Sequence, residues 1–274
     1  MPELRRDPIV GRRVVIATER AQRPSELPHV PPAARPDGVC PFCPGHEDQT
    51  PREVYAIGRA HGAPANGPGW KVRGVPNRFP ALKIEGDLDR QAEGIYDRMN
   101  GIGAHEVVIE TADHARTLEA QSAAEITEVL LAFKARILDL RNDARFRYIL
   151  LFKNHGASAG ASLEHAHSQL IALPIVPRQV VSELEGARRH YELKERCIYC
   201  DIVGQERKDA LGNPPYNFMV HSNPLRDAAS PSSHWHIEIM PALTHVAGFE
   251  WGSGAHTNPV PPEEAAELLR KASG

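Results

Sequence analysis

Two Cys-x-x-Cys pairs, each followed by a His-x-His that opens an apolar run ending in proline, constrain this chain more than any other feature. The pairs are Cys40-Pro41-Phe42-Cys43 and Cys197-Ile198-Tyr199-Cys200, and the histidine motifs are His165-Ala166-His167 and His234-Trp235-His236. Such self-similarity implies a plan used twice. In each half a strand precedes the histidines, Phe146–Phe152 in the first and Tyr216–His221 in the second. Leu170–Leu173, short, apolar and closed by Pro174, reads as a buried strand. If that strand already includes His165, then His165, His167 and Gln169 share one face, because side chains alternate with period two. The other reading places both histidines in a surface loop ahead of the strand.

The two copies are unequal. Cys40 and His165 stand 125 residues apart, Cys197 and His234 only 37. The longer interval holds two expected strands, Trp70–Leu82 and Glu106–Glu110. It also holds a helix over Ala120–Asn142, whose Ile126, Val129, Leu130, Phe133, Ile137 and Leu140 recur at helical spacing. The shorter interval passes from Cys200 through a polar stretch, Gly204–Pro215, straight to the Tyr216 strand. Either the second copy was never complete, or a block of strand, strand and helix is absent near residues 204–213. An exposed sheet edge is expected there. A charged helix over Ser182–Arg196 joins the halves, and a short helix is expected over Pro262–Ala272. The segment before residue 39, rich in proline and arginine, reads as extended strand and loop.

The chemistry concentrates in Asn154–Gln169. Its small residues allow a backbone to approach a ligand and turn N–H groups toward an anion. The histidines that follow can attack phosphorus or hold a metal. Together these features suggest phosphoryl or nucleotidyl transfer. With no secretory leader expected, the paired cysteines point to metal more than to a disulfide, although either pair alone could be a redox couple. A net charge of -3 offers no nucleic-acid surface, and no apolar run is long enough to span a bilayer. A cytoplasmic location is the resulting expectation.

These residues carry a resemblance to the galactose-1-phosphate uridylyltransferase family, within the histidine-triad superfamily. The matching segments include Arg5–Pro8, Cys40–Gly45, Val75–Leu82, Gly103–Glu110, the Asn154–Gln169 stretch, His234–His236 and Ala247–Glu250. The fold this resemblance implies is α+β: tandem histidine-triad-like units, antiparallel sheets with packed helices, the second unit shortened. The first unit would run over residues 1–181 and the shortened one over 182–274. The implied activity is a ping-pong uridylyl transfer between a UDP-hexose and a hexose 1-phosphate. In it, neutral His167 attacks the α-phosphorus and a nucleotidyl-histidine forms.

Residue by residue, the resemblance implies Gln169 as a phosphate donor that supplies no proton. Asn154, Gly160, Ala161 and Ser162 would contact phosphate and sugar, Asn77 and Arg78 the nucleoside, and Phe249 and Glu250 the hexose. The remaining ring nitrogen of His167 would donate to a backbone carbonyl, fixing the tautomer. Cys40, Cys43, His114 and His165 match a structural zinc site. The pattern selects His114 over His105, which reads as an ordinary strand histidine. Cys197, Cys200 and His234 supply three of the four ligands expected at a second site, with His236, His221 or water as the fourth. An alternative set there uses Glu183 with His234 and His236. Ala166 and Ser168 depart from the family's familiar proline and glycine. A His-x-His-Ser-Gln pattern also occurs in ADP-glucose phosphorylase-like branches. The alternatives are therefore an ADP-sugar phosphorylase using the same histidine, or a non-catalytic zinc-stabilised remnant. The expected partners are a nucleotide-sugar, a sugar 1-phosphate and a second copy in a homodimer, with no nucleic acid and no membrane.

Overall fold

The computed structural model describes residues 3–6, 9, 13–16, 39–60, 62–93, 96–156, 159–206, 216–227, 230–241 and 256–258. The strands are β1 (Glu3–Arg6), β2 (Arg13–Ile16), β3 (Tyr55–Ile57), β4 (Val72–Pro76), β5 (Gln91–Glu93) and β6 (Tyr96–Arg98). They continue with β7 (Ala104–Ile109), β8 (Tyr148–His155), β9 (His167–Leu173), β10 (Tyr216–His221), β11 (His236–Pro241) and β12 (His256–Asn258). Among the described residues three α-helices accompany them, α1 (Ala123–Leu140), α2 (Arg178–Lys194) and α3 (Ile198–Glu206). Phe249, Glu250 and the expected helix over Pro262–Ala272 lie outside the described residues.

Seven strands form one sheet in the order β11-β10-β8-β9-β7-β4-β3, and every pairing in it is antiparallel. The two halves of the chain meet at β8 and β10, where Asn154 stands opposite Asn217. β9 flanks that seam on one side and β11 on the other, so the histidine-bearing strands sit symmetrically about it. Beyond β9 come β7, β4 and β3, whereas among the described residues no further strand lies beside β11. Among the described residues the second half thus contributes two strands to this sheet and the first half five. Position 181/182, the expected division, falls inside α2. A small separate sheet, β1-β2-β12, places β12 parallel to β2.

Helix α1 is set by its ends and by its stripe. Ser122 and Glu125 form a reciprocal capping box that satisfies the first free amides. Val129, Ala132, Phe133 and Leu140 bury against Val108, Ile149, Leu151, Leu170, Ala172 and Phe218 of the sheet. Leu130, expected in that stripe, is half exposed, and Arg136 is buried instead, gripping Glu106 of β7 through two hydrogen bonds of 2.7 and 2.8 Å. The other face of the sheet carries a smaller cluster, Trp70, Val75, Val107 and Ile109, with Phe42 against it. Alternation therefore sends Ser168, Leu170 and Ala172 toward α1, and His167 and Gln169 to the opposite face.

Two expected strands are corrected. The strand over Trp70–Leu82 is confined to β4, because Asn77 caps a turn by accepting from the Phe79 amide at 2.9 Å and Pro80 can add no ladder donor. The strand carrying the first histidine motif begins at His167 and not at His165. One glycine explains how β7 starts. A Cβ on Gly103 would lie 2.4 Å from the Ala172 carbonyl oxygen, so only glycine lets the chain enter alongside β9.

Candidate functional site

The first cysteine pair lies on a tight turn, with the Cys43 amide bonded to the Cys40 carbonyl at 3.2 Å. That turn is bolted to the sheet by buried polar groups. Trp70 Nε1 donates to Glu47 Oε1 at 2.8 Å, and Glu47 Oε2 accepts from the Gly45 amide at 2.9 Å. Arg73 of β4, fully buried, pairs with Glu53 at 2.9 Å and donates to the Glu47 carbonyl at 3.3 Å. Each buried charge thus has a partner, which a low-dielectric setting demands.

Cys40, Cys43, His114 and His165 converge, with donor atoms all within 4.8 Å of one another. His165 Nδ1 lies 3.8 and 3.7 Å from the two sulfurs, and His114 Nδ1 lies 3.4 Å from Cys43. His165 Nε2 donates to the Thr111 carbonyl at 2.8 Å, leaving the Nδ1 lone pair aimed at the cluster. Two thiols and two imidazoles in this closed arrangement could hold a metal ion. Burial, and then the neighbouring Cys40, push the Cys43 thiol up to about 11. A divalent cation would reverse that by favouring thiolate.

His167 stands two residues further on, 7% exposed. Its Nδ1 donates to the His165 carbonyl at 2.7 Å, so Nε2 carries the lone pair. Burial foremost, with the nearby Lys153 ammonium, holds the ring below the ordinary histidine range despite that hydrogen bond. Beneath the strand, Lys153 Nζ reaches Glu110 at 2.7 Å and the His167 carbonyl at 3.2 Å, while Ser168 Oγ donates to Glu110 at 2.5 Å. All three side chains are buried.

His167 and Gln169 line a cavity of about 430 Å³, together with Phe42, Asn77, Arg78, Phe79, Val107 and Ser162. Phe42, from inside the Cys-x-x-Cys turn, meets the His167 ring edge-on at 5.3 Å. Phe79 is 83% exposed, an aromatic face open to a planar ligand. Asn154 stands near the end of β8, and Gly160 and Ala161 lie in the loop that follows it. Gly160 has φ +88°, and the Ala161 amide donates to the Gly156 carbonyl at 3.1 Å. Sequence reasoning missed Asn217, which donates to Asn154 Oδ1 at 2.8 Å and to the Ala159 carbonyl at 3.0 Å. It also missed the reach of His105, whose Nε2 lies 2.9 Å from Gln169 Oε1.

The second half repeats part of this arrangement. His234 Nδ1 lies 3.7 and 3.4 Å from Cys197 and Cys200, and His236 Nδ1 donates to the His234 carbonyl at 3.0 Å. Tyr199 stacks on His236 at 4.1 Å, where the corresponding Phe42 meets His167 edge-on. The three donors Cys197, Cys200 and His234 gather without a fourth among the described residues. His221 and His236, candidates for that place, instead group with Glu183 and Glu238. His221 Nδ1 reaches Glu183 at 2.7 Å. Glu238 takes the position that Gln169 holds in the first unit. Burial opposes charge on His236, but the Glu238 hydrogen bond leads a set of contacts that raise it above the ordinary value. The two second histidines are thus driven in opposite directions.

Comparison with known proteins fits this geometry. A family model for the galactose-1-phosphate uridyl transferase N-terminal domain matches residues 1–177. An ADP-glucose phosphorylase of Arabidopsis thaliana is 32% identical over 334 aligned positions, covering 99% of this chain and 93% of the relative. That alignment is longer than the chain's 274 residues, so the relative carries segments with no counterpart here. A galactose-1-phosphate uridylyltransferase of Thermotoga maritima is 25% identical, covering 99% and 98%. The crystal structure of an Arabidopsis thaliana ADP-glucose phosphorylase with bound ADP-glucose superposes with a TM-score of 0.80 at 30% identity, covering 99% of this chain and 98% of that one.

Proposed function

The chain belongs to the galactose-1-phosphate uridylyltransferase family, and from that premise we propose that it moves a uridylyl group between a UDP-hexose and a hexose 1-phosphate through a nucleotidyl-histidine on His167. The chemistry is nucleotidyl transfer. The observation that carries the reading is the pinned tautomer of a buried, neutral His167 whose Nε2 faces the cavity shared with Gln169.

In the first half-reaction, His167 Nε2 attacks the α-phosphorus, a nitrogen–phosphorus bond forms, and the bond to the bridging oxygen breaks as the hexose 1-phosphate leaves. An incoming hexose 1-phosphate then attacks the same phosphorus and returns the electron pair to Nε2. The His167 Nδ1–H stays on the His165 carbonyl throughout and stabilises the cationic adduct. The Gln169 amide donates to the phosphoryl oxygens without releasing a proton, which favours transfer over hydrolysis. Asn154, Gly160, Ala161 and Ser162 contact phosphate and sugar, Asn77 and Arg78 the nucleoside, and Phe249 and Glu250 the hexose. Cys40, Cys43, His114 and His165 hold a structural Zn²⁺ that fixes the chain just before His167. Cys197, Cys200 and His234 hold metal more weakly, having one ligand fewer among the described residues. Reduced thiols suit a cytoplasmic setting. Among the described residues no helix is long and apolar enough to cross a membrane. The two-unit division at residue 181 and a homodimer belong to the same reading.

The 32% identity to an ADP-glucose phosphorylase favours a second reading, in which an ADP-sugar donates the nucleotide and inorganic phosphate accepts it. The test incubates the protein with UDP-glucose or ADP-glucose labelled in the α-phosphate, quenches, and maps the label. Uridylyl on His167, discharged by galactose 1-phosphate, is the expected result. Adenylyl discharged by phosphate supports the second reading. A folded, metal-replete protein that never labels overturns both.

A further inference from the structure

His105 sits in β7, diagonally across from Gln169 of β9. It makes two contacts that between them leave one protonation pattern. The Ala81 backbone amide donates to His105 Nδ1 at 3.1 Å, so Nδ1 must be the unprotonated nitrogen. Nε2 therefore carries the hydrogen. Two groups lie within reach of it, Gln169 Oε1 at 2.9 Å and Asn77 Nδ2 at 3.1 Å. Asn77 cannot accept: its Oδ1 is committed to the Phe79 amide, which places its NH₂ toward His105. Only the Gln169 carbonyl oxygen accepts the Nε2 hydrogen. Reversing the Gln169 amide would leave the Nε2 hydrogen with no acceptor, and reversing Asn77 would set its NH₂ against the Phe79 amide; the Asn77 NH₂ beside Nε2 is thus a neighbour and not a hydrogen-bond partner.

We propose that His105 is a positioning residue for the transfer: its Nε2–H holds the Gln169 carbonyl and thereby turns the Gln169 NH₂ into the cavity beside His167. The inference rests on the proposed role of Gln169. Among the described residues the Gln169 amide nitrogen has no hydrogen-bond partner, so its two hydrogens are available to a phosphoryl oxygen. A free glutamine would present either end of its amide to the substrate, and the wrong end would place an acceptor against an anion. The cost of that choice is removed before substrate arrives. The same histidine fastens the Asn77–Ala81 turn, so the turn that carries Arg78 and Phe79 and the amide that meets phosphate share one support.

Two substitutions separate positioning from mere support of the turn. The amide of His105→Gln reaches the Nε2 position and can restore the donor to Gln169 while losing the acceptor for Ala81. The amide of His105→Asn reaches the Nδ1 position, so it keeps that acceptor and loses the donor. The expected result is that His105→Asn lowers the rate of His167 labelling about tenfold with little change in KM, whereas His105→Gln retains most of the rate. Adding Gln169→Ala to His105→Asn should cost no more than Gln169→Ala alone. The reverse order of the two variants, or additive losses, overturns the proposal. Imidazole ¹⁵N shifts of His105 in the folded, metal-replete wild type give a readout free of activity. An Nε2–H tautomer whose resonance moves in Gln169→Ala supports the assignment; an Nδ1–H tautomer, or no movement, overturns it. A wild type that never labels therefore defeats the functional reading while the shifts still decide His105.

Discussion

At the scale of single residues, two histidines separated by one alanine are given different work by what their other nitrogens touch. His165 spends Nε2 on Thr111 and offers Nδ1 to the cysteines, whereas His167 spends Nδ1 on His165 and offers Nε2 to the cavity. His167→Ala should therefore abolish labelling yet leave the metal content intact, and His165→Ala should chiefly lose metal, as elemental analysis would show. The lowered pKa of His167 sets a pH dependence with a definite sign. Protonation is disfavoured in the folded state, so the acid limb of kcat/KM should lie below about 6.5, the ordinary histidine value. Its contribution to stability is present above that value and lost as pH falls from there toward the folded value, because the unfolded chain binds the proton first. A pH–rate profile whose acid limb lies above that value would contradict this. The grouping of His165 with Cys40, Cys43 and His114, and of His167 with Gln169, was legible from the motif and its family resemblance. The Lys153–Glu110–Ser168 network and the grip of His105 were not, since each joins residues far apart in sequence that only strand register brings together.

At the scale of elements, α1 was read well because its information is local, whereas α2 begins at Arg178 and not at Ser182, and the short α3 (Ile198–Glu206) was not read at all. Ser122 and Glu125 announce the start of α1, and the apolar stripe its buried face. Strand limits were read less well: the Asn77 turn ends β4 through a side-chain bond that apolar content does not encode. The interior of α2 shows the same lesson. A Cβ on Gly186 would lie 2.1 Å from the Ile9 carbonyl oxygen, so this helical glycine marks where the N-terminal segment crosses. Helix propensity alone favours Gly186→Ala by about 1 kcal/mol. The clash should outweigh it, giving a net loss of about 1–3 kcal/mol in denaturant unfolding. Under β9, Lys153→Met would leave the Glu110 carboxylate buried with only Ser168 beside it. That should cost about 3–5 kcal/mol, a loss that adding Glu110→Gln should partly relieve.

At the scale of the whole molecule, the seam between β8 and β10 decides how the halves depend on each other. Asn217 of the second half braces Asn154 of the first, so the incomplete unit contributes to the loop beside the cavity. Asn217→Ala should weaken substrate saturation more than it lowers metal content, which steady-state kinetics with parallel metal analysis would reveal. The unequal ligand sets make a further expectation: graded chelation should strip a weaker metal, bound by Cys197, Cys200 and His234, before the one at Cys40 and Cys43. Two equally tight ions would contradict it. Ile237 and Ile239 of β11 occupy the positions of Ser168 and Leu170, which α1 covers in the first unit, and Ile239 is 64% exposed. Among the described residues no strand lies outboard of β11, and the ladder from β11 through β10 and β8 to β9 is continuous. A gene encoding such a protein could gain or lose an outer block in one in-frame step while keeping the ladder between the histidine strands, so this architecture carries a built-in line along which its length can change.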